Sequence, residues 1–90
     1  MAKRIDANQK QIVMNLRQLG FSVQILSSLG KGCPDLLIGR QKKNWLIELK
    51  DGAKFASQQK LTPDEIRWHC TWNGQAAICN SLDQILKITG

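Results

Sequence analysis

The stretch GCPDLLIGRQKKNWLIELKDG, residues 32–52, holds the two most strand-like segments of the chain and the turn between them. DLLIG and NWLIELK are short, rich in Leu, Ile and Trp, and separated by the polar RQKK, which predicts an antiparallel hairpin. Three ionisable residues interrupt these apolar runs: Asp35 opens the first, and Glu48 and Lys50 lie at the end of the second. Residues two apart on a strand point the same way, so Glu48 and Lys50 share a face and Leu49 takes the other. Directly opposed residues of an antiparallel pair also share a face. With Gly39 opposite Asn44, Asp35 falls opposite Glu48, and both carboxylates meet Lys50 at one end of the sheet. A slip of one residue would send Asp35 to the other side.

Working outward, Ile12, Val13, Leu16 and Leu19 recur at helical spacing, and Gly20 supplies a stop, which predicts a helix over residues 7–19. Asp6 and Gln9 resemble an N-terminal capping pair. FSVQIL alternates, with Phe21, Val23 and Ile25 on one buried face of a strand. SSLGKGCP is a glycine-punctuated loop, and AKFASQQK has no distinct pattern. In LTPDE, Thr62 can cap a helix, Pro63 suits its first position and Glu65 completes a capping box. Ile66, Trp68 and Trp72 line that helix up to Asn73 and Gly74. QAAIC is a fourth strand, and Ser81 caps a short last helix carrying Leu82, Ile85 and Leu86. The order αβββαβα predicts an α/β fold with one mixed sheet flanked by helices.

Composition narrows the classes. Ninety residues are expected to form one domain, and the 42% apolar share is that of a globular chain. No apolar run approaches a membrane span, and MAKRIDANQK lacks the apolar segment of a signal peptide. Cys33, Cys70 and Cys79 show no C-x-x-C spacing, and His69 is the sole histidine, which argues against zinc. Reduced, mostly buried thiols in a cytoplasmic protein are expected. The net charge of +6 favours a polyanionic partner. Seven of the thirteen basic residues (Lys31, Arg40, Lys42, Lys43, Lys50, Lys54 and Lys60) surround the opening stretch.

Two carboxylates brought close together near a protein interior repel each other by several kcal/mol. A hard divalent cation removes that conflict, and Mg²⁺ takes one or two carboxylates together with waters and substrate phosphates. The Leu49 carbonyl, between the two functional side chains, could supply a third protein oxygen. Lys50 would hold the nucleophile or stabilise charge on a phosphate oxygen. Together these point to metal-assisted hydrolysis of a phosphodiester. The same letters also fit a turn at Pro34 and Asp35 beside a solvated Glu48–Lys50 pair. Spacing alone leaves both readings open.

GCPDLLIG…WLIELKDG followed by KLTPDEIRWHCTWNG resembles the VRR-NUC group of the PD-(D/E)XK nuclease superfamily, in particular the short stand-alone versions of bacteriophages. The resemblance runs from RIDANQKQIVMNLRQLGFSV to SLDQIL. It implies a single nuclease domain over 1–90 with a restriction-endonuclease-like αβββαβ core and a short C-terminal helix. It also implies Mg²⁺- or Mn²⁺-dependent cleavage of DNA, with a homodimer acting on branched substrates such as four-way (Holliday) junctions. No nucleotide cofactor and no membrane are expected. Under this resemblance Asp35 and Glu48 are metal ligands and Lys50 positions or activates water. The family often places an acidic residue and a glutamine on the first helix; here these are Asp6, read as a cap, and Gln9, read as a contact to a water of the metal shell. Many relatives have glutamine where Glu65 stands, and capping accounts for Glu65.

Other basic and aromatic residues carry two readings each. Lys31 could bring a cation and backbone amides to a phosphate, or belong to a flexible turn. Arg40, Lys42 and Lys43 could follow a DNA backbone or form a solvated hairpin tip. Lys54 and Lys60 are better placed near a scissile strand. Trp45, Trp68 and Trp72 could stack on unpaired bases, although tryptophans at helical spacing usually bury in a core or an interface. His69 is read as structural. Beside a junction nuclease stand a nicking or flap- and end-processing nuclease and a non-catalytic DNA-binding module of the same fold.

Overall fold

The computed structural model describes residues 7–50 and 60–90. The expected hairpin is β2 (Leu36–Arg40) with β3 (Lys43–Leu49), paired with Leu36 opposite Ile47 and Gly39 opposite Asn44. Gln41 and Lys42 turn the chain with φ of 52° and 70°. Two left-handed residues between paired strands mark a type I′ turn, whose twist matches that of the flanking strands. β1 (Ser22–Ile25) pairs antiparallel to β2, and Leu26 N–H donating to the Asp35 carbonyl at 2.7 Å carries that ladder one step further. β4 (Ala76–Cys79) lies parallel to β3, with Lys50 N–H on the Cys79 carbonyl at 2.9 Å. The sheet order is β1-β2-β3-β4. Parallel neighbours need a crossover, and α2 (Pro63–Thr71) provides it.

The core forms where α1 (Ala7–Gln18) and α3 (Leu82–Thr89) meet one sheet face. Ile12, Val13 and Leu16 of α1 bury with Leu36, Ile38, Trp45, Ile47, Cys79 and Ile85. α1 ends at Gln18, one residue short of the expected end. Gly20 N–H reaches the Arg17 carbonyl and Phe21 N–H the Leu16 carbonyl, at 3.1 and 3.0 Å. That crossed pair is a Schellman motif, with Gly20 at φ 93° as its left-handed residue and buried Phe21 packing beside Leu16. Arg40 lies over the Phe21 ring, 5.1 Å from its centroid. No helix among the described residues is long and apolar enough to cross a membrane.

Several packing expectations differ from the structure. Phe21 is buried, but Ile25, at the end of an edge strand, is 38% exposed. Of the cysteines, Cys79 is buried, Cys33 is half-buried and Cys70 is exposed. Trp45 sits in the core, whereas Trp68 is half-buried and Trp72 is 48% exposed, their rings stacked at 4.7 Å. The reason lies in the phase of α2. Residues 65, 68 and 72 follow i, i+3, i+7 spacing, so Glu65 leads the face carrying both tryptophans. Ile66 lies off that stripe and is half exposed. The one buried residue of α2 is a carboxylate.

Candidate functional site

The hairpin register places Asp35 across from Glu48, beyond the last paired residues Leu36 and Ile47. Both are buried, at 4% and 1% exposure. Asp35 Oδ2 accepts the Leu49 N–H at 2.9 Å, so the carboxylate is tied to the segment bearing Glu48 and Lys50. Glu48 Oε2 lies 3.4 Å from Lys50 Nζ, which places these two side chains on one face. Leu49 packs against the core on the other. Asp35, Glu48 and Lys50 therefore converge at one end of the hairpin.

Gln9 comes to the same place from the first turn of α1. Its amide donates to Ser27 Oγ at 2.9 Å, and Ser27 Oγ lies 3.4 Å from Asp35 Oδ1. A hydroxyl has one proton to give. Two acceptors face that proton, Gln9 Oε1 at 3.2 Å and Asp35 Oδ1 at 3.4 Å, so Ser27 sits between the amide of Gln9 and the carboxylate of Asp35. All three side chains are buried. Ser27 is absent from the sequence reading. It stands beside Ser28 in a polar loop, and only the continued β1–β2 pairing turns it inward.

On the other side of Lys50 stands Glu65. Thr62 caps α2, accepting the Glu65 N–H at 3.2 Å, while Glu65 Oε1 accepts the Thr62 N–H at 2.8 Å. This is the expected capping box. The same Oε1 also accepts from Lys50 Nζ at 2.8 Å. Burial alone would lower the Lys50 pKa, but the Glu65 hydrogen bond and the charges of Glu48 and Glu65 outweigh it, and the value is raised. Lys50 is thus an ammonium at neutral pH, a donor and a positive charge rather than a base. Burial pushes the Glu65 carboxyl up, yet the Lys50 and Thr62 hydrogen bonds together bring it down to about 2.

A depressed carboxyl pKa makes stability depend on acid. The ordinary value for Glu65 is 4.5 and the folded one about 2, so its contribution is complete above pH 4.5 and disappears as pH falls through 2. Urea unfolding across that window should show Glu65→Gln with a shallower loss of stability than the parent. Parallel acid slopes for the two proteins would contradict this.

The remaining sequence candidates divide by position. Lys31 is exposed in a left-handed turn, φ 55°, closed by Cys33 N–H on the Gly30 carbonyl at 3.1 Å. Arg40, Lys42 and Lys43 lie at the hairpin tip, the opposite end of the strands from Glu48. Five residues at about 3.3 Å each put Lys43 roughly 17 Å from Glu48. Lys60 is exposed just before the α2 cap. Asp6 and Lys54 lie outside the described residues. His69 packs edge-on to Trp68 at 5.0 Å, and its Nε2 is buried without a hydrogen-bond partner among the described residues. Burial lowers its pKa; Glu65 opposes that shift and Lys50 adds to it.

Among the described residues no group of three or more His, Cys, Asp and Glu side chains is gathered to hold a metal ion. Asp35 and Glu48 supply oxygens alone. That donor set fits a hard cation keeping several waters and does not fit a closed zinc site.

No family model and no curated protein matches the chain. A solved structure described as a VRR_NUC domain matches with a TM-score of 0.65 and 28% identity, covering 90% of this chain and 88% of that one. The mixed sheet with its flanking helices agrees with the restriction-endonuclease-like fold expected of that group. The match supports the resemblance of this chain to the VRR-NUC group.

Proposed function

We propose that the protein is a metal-dependent DNA endonuclease that hydrolyses phosphodiester bonds in branched DNA, four-way junctions included, as a homodimer. The observation that carries this reading is the convergence of Asp35, Glu48 and Lys50 at one end of the β2–β3 hairpin. Asp35, Glu48 and the Leu49 carbonyl would hold Mg²⁺ or Mn²⁺. Bound there, the cation supplies Lewis acidity toward a phosphate oxygen and lowers the pKa of a water. The chain's own residues do the rest. The Leu49 N–H holds one oxygen of Asp35, and Ser27, itself bonded to Gln9, stands beside the other. Lys50, as an ammonium, donates hydrogen bonds to the attacking water or to a non-bridging phosphate oxygen. Lys31 and Lys60, exposed on segments leading into the site, would contact the DNA backbone, as would Lys54. Arg40, Lys42 and Lys43 would contact a more distant arm.

Dimerisation has its own support. Leu37, Leu46 and Ile78 share the sheet face of Glu48. Leu37, Ile78 and Trp72 remain 36%, 46% and 48% exposed, and Leu37, Leu46 and Trp72 line one groove. A second copy would cover this apolar surface, and two symmetric sites would cut opposite strands of a junction.

Labelled four-way junction, flap and linear duplex, each incubated with Mg²⁺, Mn²⁺ or EDTA, provide the test. Paired nicks across the junction with either metal and none in EDTA are expected, with sedimentation reporting a dimer. Preferred cutting of flaps or ends would shift the reading to an end-processing nuclease. Binding without cleavage under any metal would leave a DNA-binding module.

A further inference from the structure

We propose that Glu65 is a positioning residue for Lys50: its carboxylate, set by the capping box of α2, holds the Lys50 ammonium at the Glu48 end of the site. The inference rests on the reading of Lys50 as part of the cleavage machinery and adds a residue that acts through it. A glutamate at the third position of a helix caps by reaching back to one backbone N–H, a task it performs equally well in solvent. Glu65 is instead buried, its side chain 6% exposed. Burying a carboxylate is unfavourable without a charged partner. The partner is Lys50, 2.8 Å away on the oxygen that also receives the Thr62 N–H.

The arrangement leaves Glu65 little freedom. Its backbone N–H is held by the Thr62 hydroxyl and its side chain by the Thr62 amide, so the carboxylate is fixed at both ends of the residue. Lys50, by contrast, ends a flexible four-carbon stem. Glu48 meets its ammonium at 3.4 Å, and Glu65 adds a second, shorter contact. The start of α2 is itself anchored. Gly32, three residues before Asp35, lies against the Asp64 and Glu65 backbone so closely that no side-chain carbon fits between them. The loop leading into Asp35 and the carboxylate gripping Lys50 therefore share one support.

Single-turnover cleavage of labelled four-way junction in Mg²⁺ is compared for the parent, K50A, E65A, E65Q, T62A and K50A/E65A, each below its melting temperature. Accessibility of Lys50 is read in parallel by acylation and mass spectrometry without metal. E65A should lower the maximal rate about ten- to a hundredfold with junction affinity unchanged. E65Q should restore it to within about threefold, since the amide oxygen can accept both hydrogen bonds. T62A, which removes the hydroxyl that holds the Glu65 N–H but leaves the Thr62 amide and the Glu65–Lys50 contact, should lower the rate less than E65A does. K50A/E65A should be no slower than K50A, because the loss passes through Lys50. Acylation of Lys50 should rise about tenfold in E65A. A parental rate in E65A, unchanged acylation, a rate loss in T62A equal to that in E65A, or an additional loss in the double variant overturns the assignment. Loss in K50A with E65A fully active sinks the role of Glu65 alone, whereas full activity in K50A sinks the catalytic reading of Lys50 and this inference with it.

Discussion

Glu48→Gln is expected to reduce cleavage by about a thousandfold or more while leaving the melting temperature within a few degrees of the parent. The two halves of that result have separate causes. Glutamine keeps the shape of a side chain only 1% exposed, so no cavity opens. It removes the negative charge that would hold a divalent cation against the approaching phosphate, which costs about 4 kcal/mol of transition-state stabilisation at that rate loss. Removing one member of a buried ion pair is normally damaging because the other charge is stranded. Here Lys50 retains Glu65 at 2.8 Å, so its ammonium stays compensated. The desolvation cost of the lost carboxylate offsets much of the lost attraction. Cleavage within tenfold of the parent would show that Glu48 is a structural ion-pair partner only. A collapse of the melting temperature would show that its charge supports the fold.

Gly32→Ala should destabilise the domain by at least about 3 kcal/mol, lowering its melting temperature by about 10 °C or more. Two effects add. Gly32 has φ 82°, a conformation that is strained for any residue with a side-chain carbon. A methyl group there would overlap the Asp64 carbonyl oxygen, with the carbonyl carbon at 2.5 Å and the Glu65 nitrogen at 2.9 Å, well inside the contact distance. Backbone atoms at a capped helix start cannot swing aside as a flexible side chain would. Gly30→Ala is the control, since φ is 70° there but nothing lies within 4 Å. It carries the conformational strain alone, about 1–2 kcal/mol. Equal melting temperatures for the two variants would refute the close approach. Where Gly32→Ala still folds in the cold, its cleavage should fall as well, because the displaced helix start carries Glu65.

The hairpin was legible because two apolar runs flank a polar turn, and pairing Gly39 with Asn44, the register the structure has, brings Asp35 to Glu48. The helix ends at Gly20 and Thr62 were legible for a similar reason, as each depends on neighbours within a few residues. The α2 face was misread: Ile66 and the tryptophans look like its inner stripe, but the helix turns Glu65 inward because Lys50 waits for it just past the end of β3, fifteen residues earlier. Ser27 had no local mark at all.

The amino-acid order by itself determined the elements, their sequence, the pairing of the hairpin and the side of the sheet on which Glu48 and Lys50 stand. These follow from interactions between near neighbours and from the two-residue period of a strand. Only the folded chain decided which polar groups surround that pair. Glu65 reaches Lys50 from a second helix, and Ser27 reaches Asp35 from a loop, bonded there to the Gln9 that the family resemblance had placed at the site. Their burial is tolerated because each finds a hydrogen-bond partner across the fold, and such partnerships leave no trace in the spacing of the residues that make them.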